Sequence, residues 1–279
     1  MPALRLACLP WYELPETRAV QDALWTIVAR HLRRHGVDGV PSHLTRGRPV
    51  PLSLTDPRLL FGQCCGYDVV YGFADCVSVI ATPDYDAPGC EHADYRSFIL
   101  VAADSPVAAL DDLRGRICVI NGFNSHSGTN ALRALVAPHS REGRFFGTVK
   151  FSGAHMQSLA MLQAHEADVM AMDCVLHAVL TRHRPQALAG TRILCETEAA
   201  PAPPFVTSAN ASATTVARLR SALADAFSDD EAAEPRAALL LRGLAFRPVT
   251  DYARSVALEG AALAHGYLEL HATSPALAR

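Results

Sequence analysis

Short apolar runs alternate with helix-length segments through residues 117–183, and small polar turns fill the junctions between them. Ile117-Cys118-Val119-Ile120 leads through Ser125-His126-Ser127-Gly128-Thr129-Asn130 into Ala131-Leu132-Arg133-Ala134-Leu135-Val136. Val149-Lys150-Phe151 leads through Ser152-Gly153-Ala154-His155 into Met156-Gln157-Ser158-Leu159-Ala160-Met161-Leu162. Strand, turn and helix repeated in this order confine the chain to an α/β fold. The same order puts two Ser/His-bearing turns at successive helix starts. A helix start leaves backbone N–H groups unpaired and carries a partial positive charge, so it attracts anions. Glycine and small hydroxyl residues let an oxyanion approach that backbone, and His adds a polar ring. Either turn alone is explained by ordinary N-capping, which needs one Ser. Two in tandem predict a pocket for a small oxyanion.

The alternation extends in both directions. Leu4–Leu9 reads as a first strand, and Pro15-Glu16-Thr17 opens a helix with Val20, Leu24, Ile27, Val28 and Leu32 on one face. Gly36 closes it. Residues 37–57 read as loop, and 59–61, 77–81 and 98–102 as strands. Residues 167–173 read as a strand ending in Asp173, before a helix at 174–183 and a strand at 193–195. A helix spans about 214–227, and the remainder reads as helical to the C-terminus with breaks at Pro235, Gly243 and Pro248. Linkers near 97–106 and 198–205 bracket the segment with both Ser/His turns. They predict a discontinuous first lobe, 1–96 with 205–279, and an inserted second lobe, 97–204. The ligand cleft is expected between them, where helices begin at strand ends.

Composition narrows the partners. With a formal net charge of −3 and no basic stripe, nothing favours nucleic acid. No run approaches the ~18 consecutive apolar residues of a membrane span, so no membrane insertion is expected. The start, Met1-Pro2-Ala3-Leu4-Arg5-Leu6, lacks the basic head and long apolar middle of a secretory signal. Read as the native start it predicts a cytoplasmic protein, and a periplasmic one if the native start lies elsewhere. Eight cysteines scatter without a C-x-x-C pair, which is no disulfide framework in a chain of 279 residues. Cys8, Cys118, Cys174 and Cys195 sit in apolar runs as small hydrophobes. Cys64-Cys65 and the Cys90/His92 pair lack a matching second half-site, so neither metal nor cofactor is expected.

Tyr95-Arg96-Ser97, Ser125-x-Ser127-Gly128, Ser152-Gly153-Ala154-His155 with Ser158-Leu159, and Ala167-Asp168-Val169-x-Ala171-x-Asp173 occur in that order. As an ordered set they resemble the phosphonate- and phosphate-binding proteins of ABC importers, closely over about 95–210 and loosely over most of the chain. Leu9-Pro10-Trp11-Tyr12-Glu13-Leu14-Pro15-Glu16, Gln63-Cys64-Cys65-Gly66-Tyr67 and Pro88-Gly89-Cys90 are similar to a subgroup that often lacks a signal peptide. The resemblance implies a type II periplasmic-binding-protein fold, with two α/β lobes of mixed sheets joined by two hinge strands and closing over an anion. It implies a small anionic ligand and an ABC permease as partner. It assigns Ser125, Ser127 and nearby backbone N–H groups, at His126, Gly128 and Thr129, to the anion's oxygens. His155 would donate to the same anion, Tyr95 would close the pocket from the hinge, and Tyr12 would face it across the first lobe. Asp173 would meet the ligand's organic part or a ligand proton, with Cys65 as further lining. Two departures stand out. His126 occupies the position between the serines that is usually small and hydroxylic, and Met156 replaces the acid of aminoalkylphosphonate binders, so no ammonium contact is implied.

Plainer readings stand beside these. Asp173 caps the helix that follows it, His155 packs at a helix start, and Cys64/Cys65 are core thiols. A different class of function uses the same scaffold as a cytoplasmic enzyme, with His155, Cys65 and Asp173 as acid–base and nucleophile candidates. A third is an intracellular sensor that passes lobe closure to a partner. The leading expectation is a binding protein without catalytic residues.

Overall fold

The computed structural model describes residues 5–270. The strands are β1 (Leu6–Ala7), β2 (Leu59–Gln63), β3 (Val77–Tyr85), β4 (Asp94–Tyr95), β5 (Ser97–Ala102), β6 (Ile117–Ile120), β7 (Thr148–Phe151), β8 (Val169–Asp173), β9 (Thr191–Glu196), β10 (Ala200–Pro201), β11 (Phe205–Ser208) and β12 (Leu241–Ala245). The α-helices are α1 (Arg18–Arg34), α2 (Val50–Leu54), α3 (Gly66–Val70), α4 (Ala131–Val136), α5 (His155–Gln163), α6 (Cys174–His183), α7 (Ala213–Ser228), α8 (Ala233–Ala238) and α9 (Ala253–Ala264). The chain is mixed α/β and forms two compact units, crossing from one to the other after residues 94, 200 and 252.

The first unit holds residues 5–94 and 201–252 around a five-stranded sheet ordered β1-β2-β11-β3-β12. Its parallel β1/β2 pair and antiparallel β11 make the sheet mixed. Helix α1 buries Leu24, Trp25, Ile27, Val28 and Leu32, so the expected apolar stripe gains Trp25 while Val20 is only half-buried. Gly36 at φ 68° turns the chain away from the helix end, a conformation costly for other residues. Arg30 and His31 reach Asp229 at 2.7 and 2.8 Å, tying α1 to the segment after α7.

The second unit holds residues 95–200 and 253–270 around a sheet ordered β7-β6-β8-β5-β9. Strands β7, β6 and β8 run parallel, while β5 enters antiparallel between β8 and β9. Its core joins Ile99, Val101, Cys118, Ile120, Leu132 and Val169 to Ala262, Tyr267 and Leu270 from the C-terminal segment. In both units the strand that follows a crossing, β5 or β11, is inserted antiparallel.

Three sequence expectations change. Residues 241–245 form an edge strand on β3 rather than broken helix; only Leu241 is buried there, so no alternation advertises a strand. Val50–Leu54 is a helix inside the expected loop, begun by Pro49, Val50 and Pro51. Helix α9 belongs with the second unit, not with a first lobe running to 279, because Ser255 and Ala262 are buried there. Leu4 and residues 271–279 lie outside the described residues.

Candidate functional site

Strands β6 and β7 pair in parallel with Ile120 opposite Phe151, so the chain leaves both at adjacent points. The two Ser/His turns therefore begin side by side. They are also tied together: Ser152 N–H donates to Ile120 O and Gly153 N–H to Asn121 O, each at 3.0 Å. Ser125 takes the N-cap position, its Oγ accepting from Gly128 N–H at 3.1 Å. Residues 126–130 then make one wide turn in which Asn130 N–H reaches Ser125 O at 2.9 Å. Thr129 is fully buried, and its hydroxyl donates to Gly122 O at 2.7 Å, so it braces the loop. Gly128 lies against the Asn121 side chain, leaving no room for a Cβ.

Ser127 and His155 carry the link between the turns. Ser127 Oγ lies 2.9 Å from His155 Nε2, and His155 Nδ1 lies 3.1 Å from Ala171 O on β8. Burial pushes the His155 imidazole down to about 4, against the Ala171 carbonyl, which raises it. At neutral pH the ring is uncharged. Nearby, the Phe123 and Phe151 rings meet edge to face at 4.9 Å, and Met156 is exposed.

Other expected site residues lie elsewhere in the second unit's interior. His126 is buried at 2% exposure, its Nδ1 accepting from Asn130 Nδ2 at 3.2 Å, and its ring centroid is 5.9 Å from that of Tyr95. Tyr95 is equally buried. Asp173 is buried, and its Oδ1 accepts from Val175 N–H at 2.8 Å and Leu176 N–H at 3.1 Å, the helix-capping arrangement. Tyr12 and Cys65 belong to the first unit. Tyr12 adopts φ 59° and meets Tyr85 edge to face at 5.4 Å. Cys65 is half-buried at the N-cap position of α3, and Cys64 beside it is buried with its thiol pushed far up by desolvation. Among the described residues no group of His, Cys, Asp and Glu is arranged to hold a metal.

Sequence reasoning missed Asn121, whose Oδ1 accepts from Ser158 Oγ at 3.1 Å while Ser158 Oγ lies 2.6 Å from Ser152 Oγ. Its place directly after β6, four residues before Ser125, was the available signal. It missed Gln63 as well, which donates to Tyr85 Oη and Pro203 O, each at 2.9 Å.

His126 makes stability pH-dependent. Desolvation, then the nearby Arg133 charge, push it down to about 4. An unfolded chain protonates the same ring near the ordinary value of ~6.5, so between these values the unfolded state binds more protons. Stability is complete above that upper value and is lost as pH falls, by about 1.4 kcal/mol per pH unit for this ring. Urea unfolding at a series of pH values should show the loss, with a shallower slope for His126→Gln. A flat profile across the window contradicts the assignment.

Two α/β units with mixed sheets, alternately visited by the chain, are the architecture of periplasmic-type solute-binding proteins. The chain belongs to the phosphonate periplasmic substrate-binding protein family of ABC transporters, whose model matches residues 71–252, more than half of it. Solved structures agree in fold. A binding protein component of an ABC phosphonate transporter (PA3383) from Pseudomonas aeruginosa superposes with a TM-score of 0.73 at 13% identity, covering 99% of this chain and 91% of that one. PhnD1 from Prochlorococcus marinus, in complex with methylphosphonate, gives 0.70 at 13% identity over 92% and 97%. XAC2383 from Xanthomonas citri, bound to chloride ion, gives 0.69 at 18% identity over 95% and 98%. A structure of XAC2383 bound to ATP gives 0.65 at 16% identity, again over 95% and 98%. No curated protein matches the chain.

Proposed function

We propose that this chain binds a small oxyanion (phosphate, a phosphonate or a phosphorylated metabolite) as the solute-binding component of an ABC-type importer, handing it to a permease. The observation that carries the reading is the joining of two helix-start turns through Ser127 Oγ and His155 Nε2 at 2.9 Å. Adjacent strand ends bring backbone N–H groups and a polar side-chain pair to one place, which suits an anion. The methylphosphonate in PhnD1 and the ATP in XAC2383 support a phosphorus oxyanion as the ligand class. Ser125 and Ser127 are the proposed side-chain contacts, and His155, with Nε2 on Ser127 Oγ and Nδ1 on Ala171 O, orients the Ser127 hydroxyl. Asp173 and Thr129 act as supports, since their side chains already hold backbone groups.

Closure around the ligand follows from binding that favours one arrangement of the chain over another. The enzyme alternative has less support, since the Asp173 Oδ1 already accepts from the backbone N–H groups of Val175 and Leu176. Thermal unfolding tests the reading. Methylphosphonate or inorganic phosphate at ~100 times its Kd should stabilise the protein by about 2.7 kcal/mol, raising Tm by several degrees. A Ser127→Ala/His155→Ala double variant should lose that rise. An undiminished rise in the variant removes these residues from the site.

A further inference from the structure

Hydrogen-bond polarity at the Ser127–His155 pair is dictated from its far end. The Ala171 carbonyl on β8 can only accept, so His155 Nδ1 carries the proton that bridges their 3.1 Å separation. In the neutral ring Nε2 is then a bare lone pair. Ser127 Oγ, 2.9 Å away, donates its proton to it. A hydroxyl has one proton, and with that proton turned toward His155 the oxygen offers only lone pairs to a ligand. Ser127 is thus an acceptor in a site whose other proposed groups, the backbone N–H groups and the Ser125 hydroxyl, donate.

We infer that this relay selects oxyanions that bring a proton of their own, namely hydrogen phosphate and singly protonated phosphonates or phosphate monoesters, over fully ionised sulfate and sulfonates of the same shape. The inference rests on the oxyanion-binding reading proposed above. A P–OH group donates to Ser127 Oγ while its other oxygens accept from backbone N–H groups. A sulfonate has no proton to give and sets an oxygen lone pair against the Ser127 lone pair. A site built around a hydrogen bond rejects the analogue that lacks it more strongly than an apolar pocket rejects a wrong shape. Reversing the relay requires protonating His155. Ser127 from the turn and Ala171 from β8 are the polar groups bonded to the ring, and no charged side chain contributes to its shift. Burial holds the ring down to about 4, so reversal belongs to acid solution.

Isothermal titration with methylphosphonate and methanesulfonate, which differ in the proton and not in shape, tests this between about pH 4 and about pH 9. Methylphosphonate should bind with constant affinity below its second ionisation and lose about tenfold per pH unit above it. Methanesulfonate should bind about 100-fold or more weakly at neutral pH. Its affinity should keep rising as the pH falls toward about 4, where the ring takes up a proton. In His155→Gln a side-chain amide N–H can donate to Ser127 Oγ and free the hydroxyl proton for the ligand. Discrimination between the two ligands should then shrink about tenfold or more. Wild-type affinities within about threefold of each other at neutral pH overturn the inference while leaving oxyanion binding intact. Should His155→Gln fail to fold, the wild-type comparison decides alone. If neither ligand binds at any pH, the functional reading fails first and this one with it.

Discussion

Arg133→Met is expected to destabilise the second unit by about 3–5 kcal/mol, the range for stranding a buried charge partner. Arg133 sits on α4 at 1% exposure, where a guanidinium persists only if its hydrogen bonds are met. Its Nη1 donates to Leu270 O at 3.1 Å, and its Nη2 lies 3.3 Å from Glu259 Oε1 on α9 and also binds Asn130 Oδ1. Asn130 in turn donates to Ser255 O at 2.7 Å. One fork therefore joins the helix that follows the first Ser/His turn to the C-terminal helix. Methionine fills much of the volume but leaves the Glu259 carboxylate and the Leu270 carbonyl with a lost partner. Urea unfolding should show the loss, and hydrogen exchange should show residues 253–270 opening sooner than the central sheet. Because the cost lies in the stranded charge, Arg133→Met/Glu259→Met should recover a substantial part of the stability. A single-variant loss below about 1 kcal/mol would show that the network is not what holds α9 in place.

That network also marks where the sequence stopped being legible. The strands and helices of residues 117–183 could be read because each is encoded within a few residues: a short apolar run, a Ser, Gly or Asp at the junction, then helical spacing. The same locality exposed Ser125, Ser127 and His155, whose juxtaposition needs only two adjacent parallel strands. Arg133 looks like an ordinary basic residue on a helix; its role depends on Leu270, separated from it by 137 residues. His126, read as a ligand contact beside two serines, has a buried ring bonded to Asn130, and Asn130 also bonds Ser255 O, a tie across 125 residues that no local pattern shows. Asp173 had a capping reading and a ligand reading in sequence, and the backbone N–H groups of Val175 and Leu176 now occupy its Oδ1. Strand β12 escaped because an edge strand with one buried residue carries no period-two pattern. Local chemistry was readable, and closure over long chain separations was not.

Gly128→Ala should remove ligand binding while costing about 1–3 kcal/mol of stability. A Cβ there would stand 2.4 Å from Asn121 Cγ, 2.5 Å from its Nδ2 and 2.9 Å from its Cβ, closer than packed atoms approach. Asn121 is too short to swing clear, since its own Cβ is among the obstructed atoms. Its Oδ1 accepts from Ser158 Oγ, and Ser158 meets Ser152 in the second turn, so displacing Asn121 loosens the bond chain between the turns. Ser127 would then drift from His155, and the backbone N–H groups proposed to hold the anion would no longer converge. The expected readout is a Tm that no longer rises with methylphosphonate or phosphate. Gly47→Ala is the control: Gly47 has φ 70° with nothing near its missing Cβ, so alanine there should strain the backbone and leave the ligand response intact. Pairing Gly128→Ala with Asn121→Gly removes the obstructing atoms and should return much of the lost stability. Binding should stay impaired, because the Asn121–Ser158 link is gone as well. A Gly128→Ala protein with a normal phosphate response would mean that the convergence of the two turns does not depend on this contact.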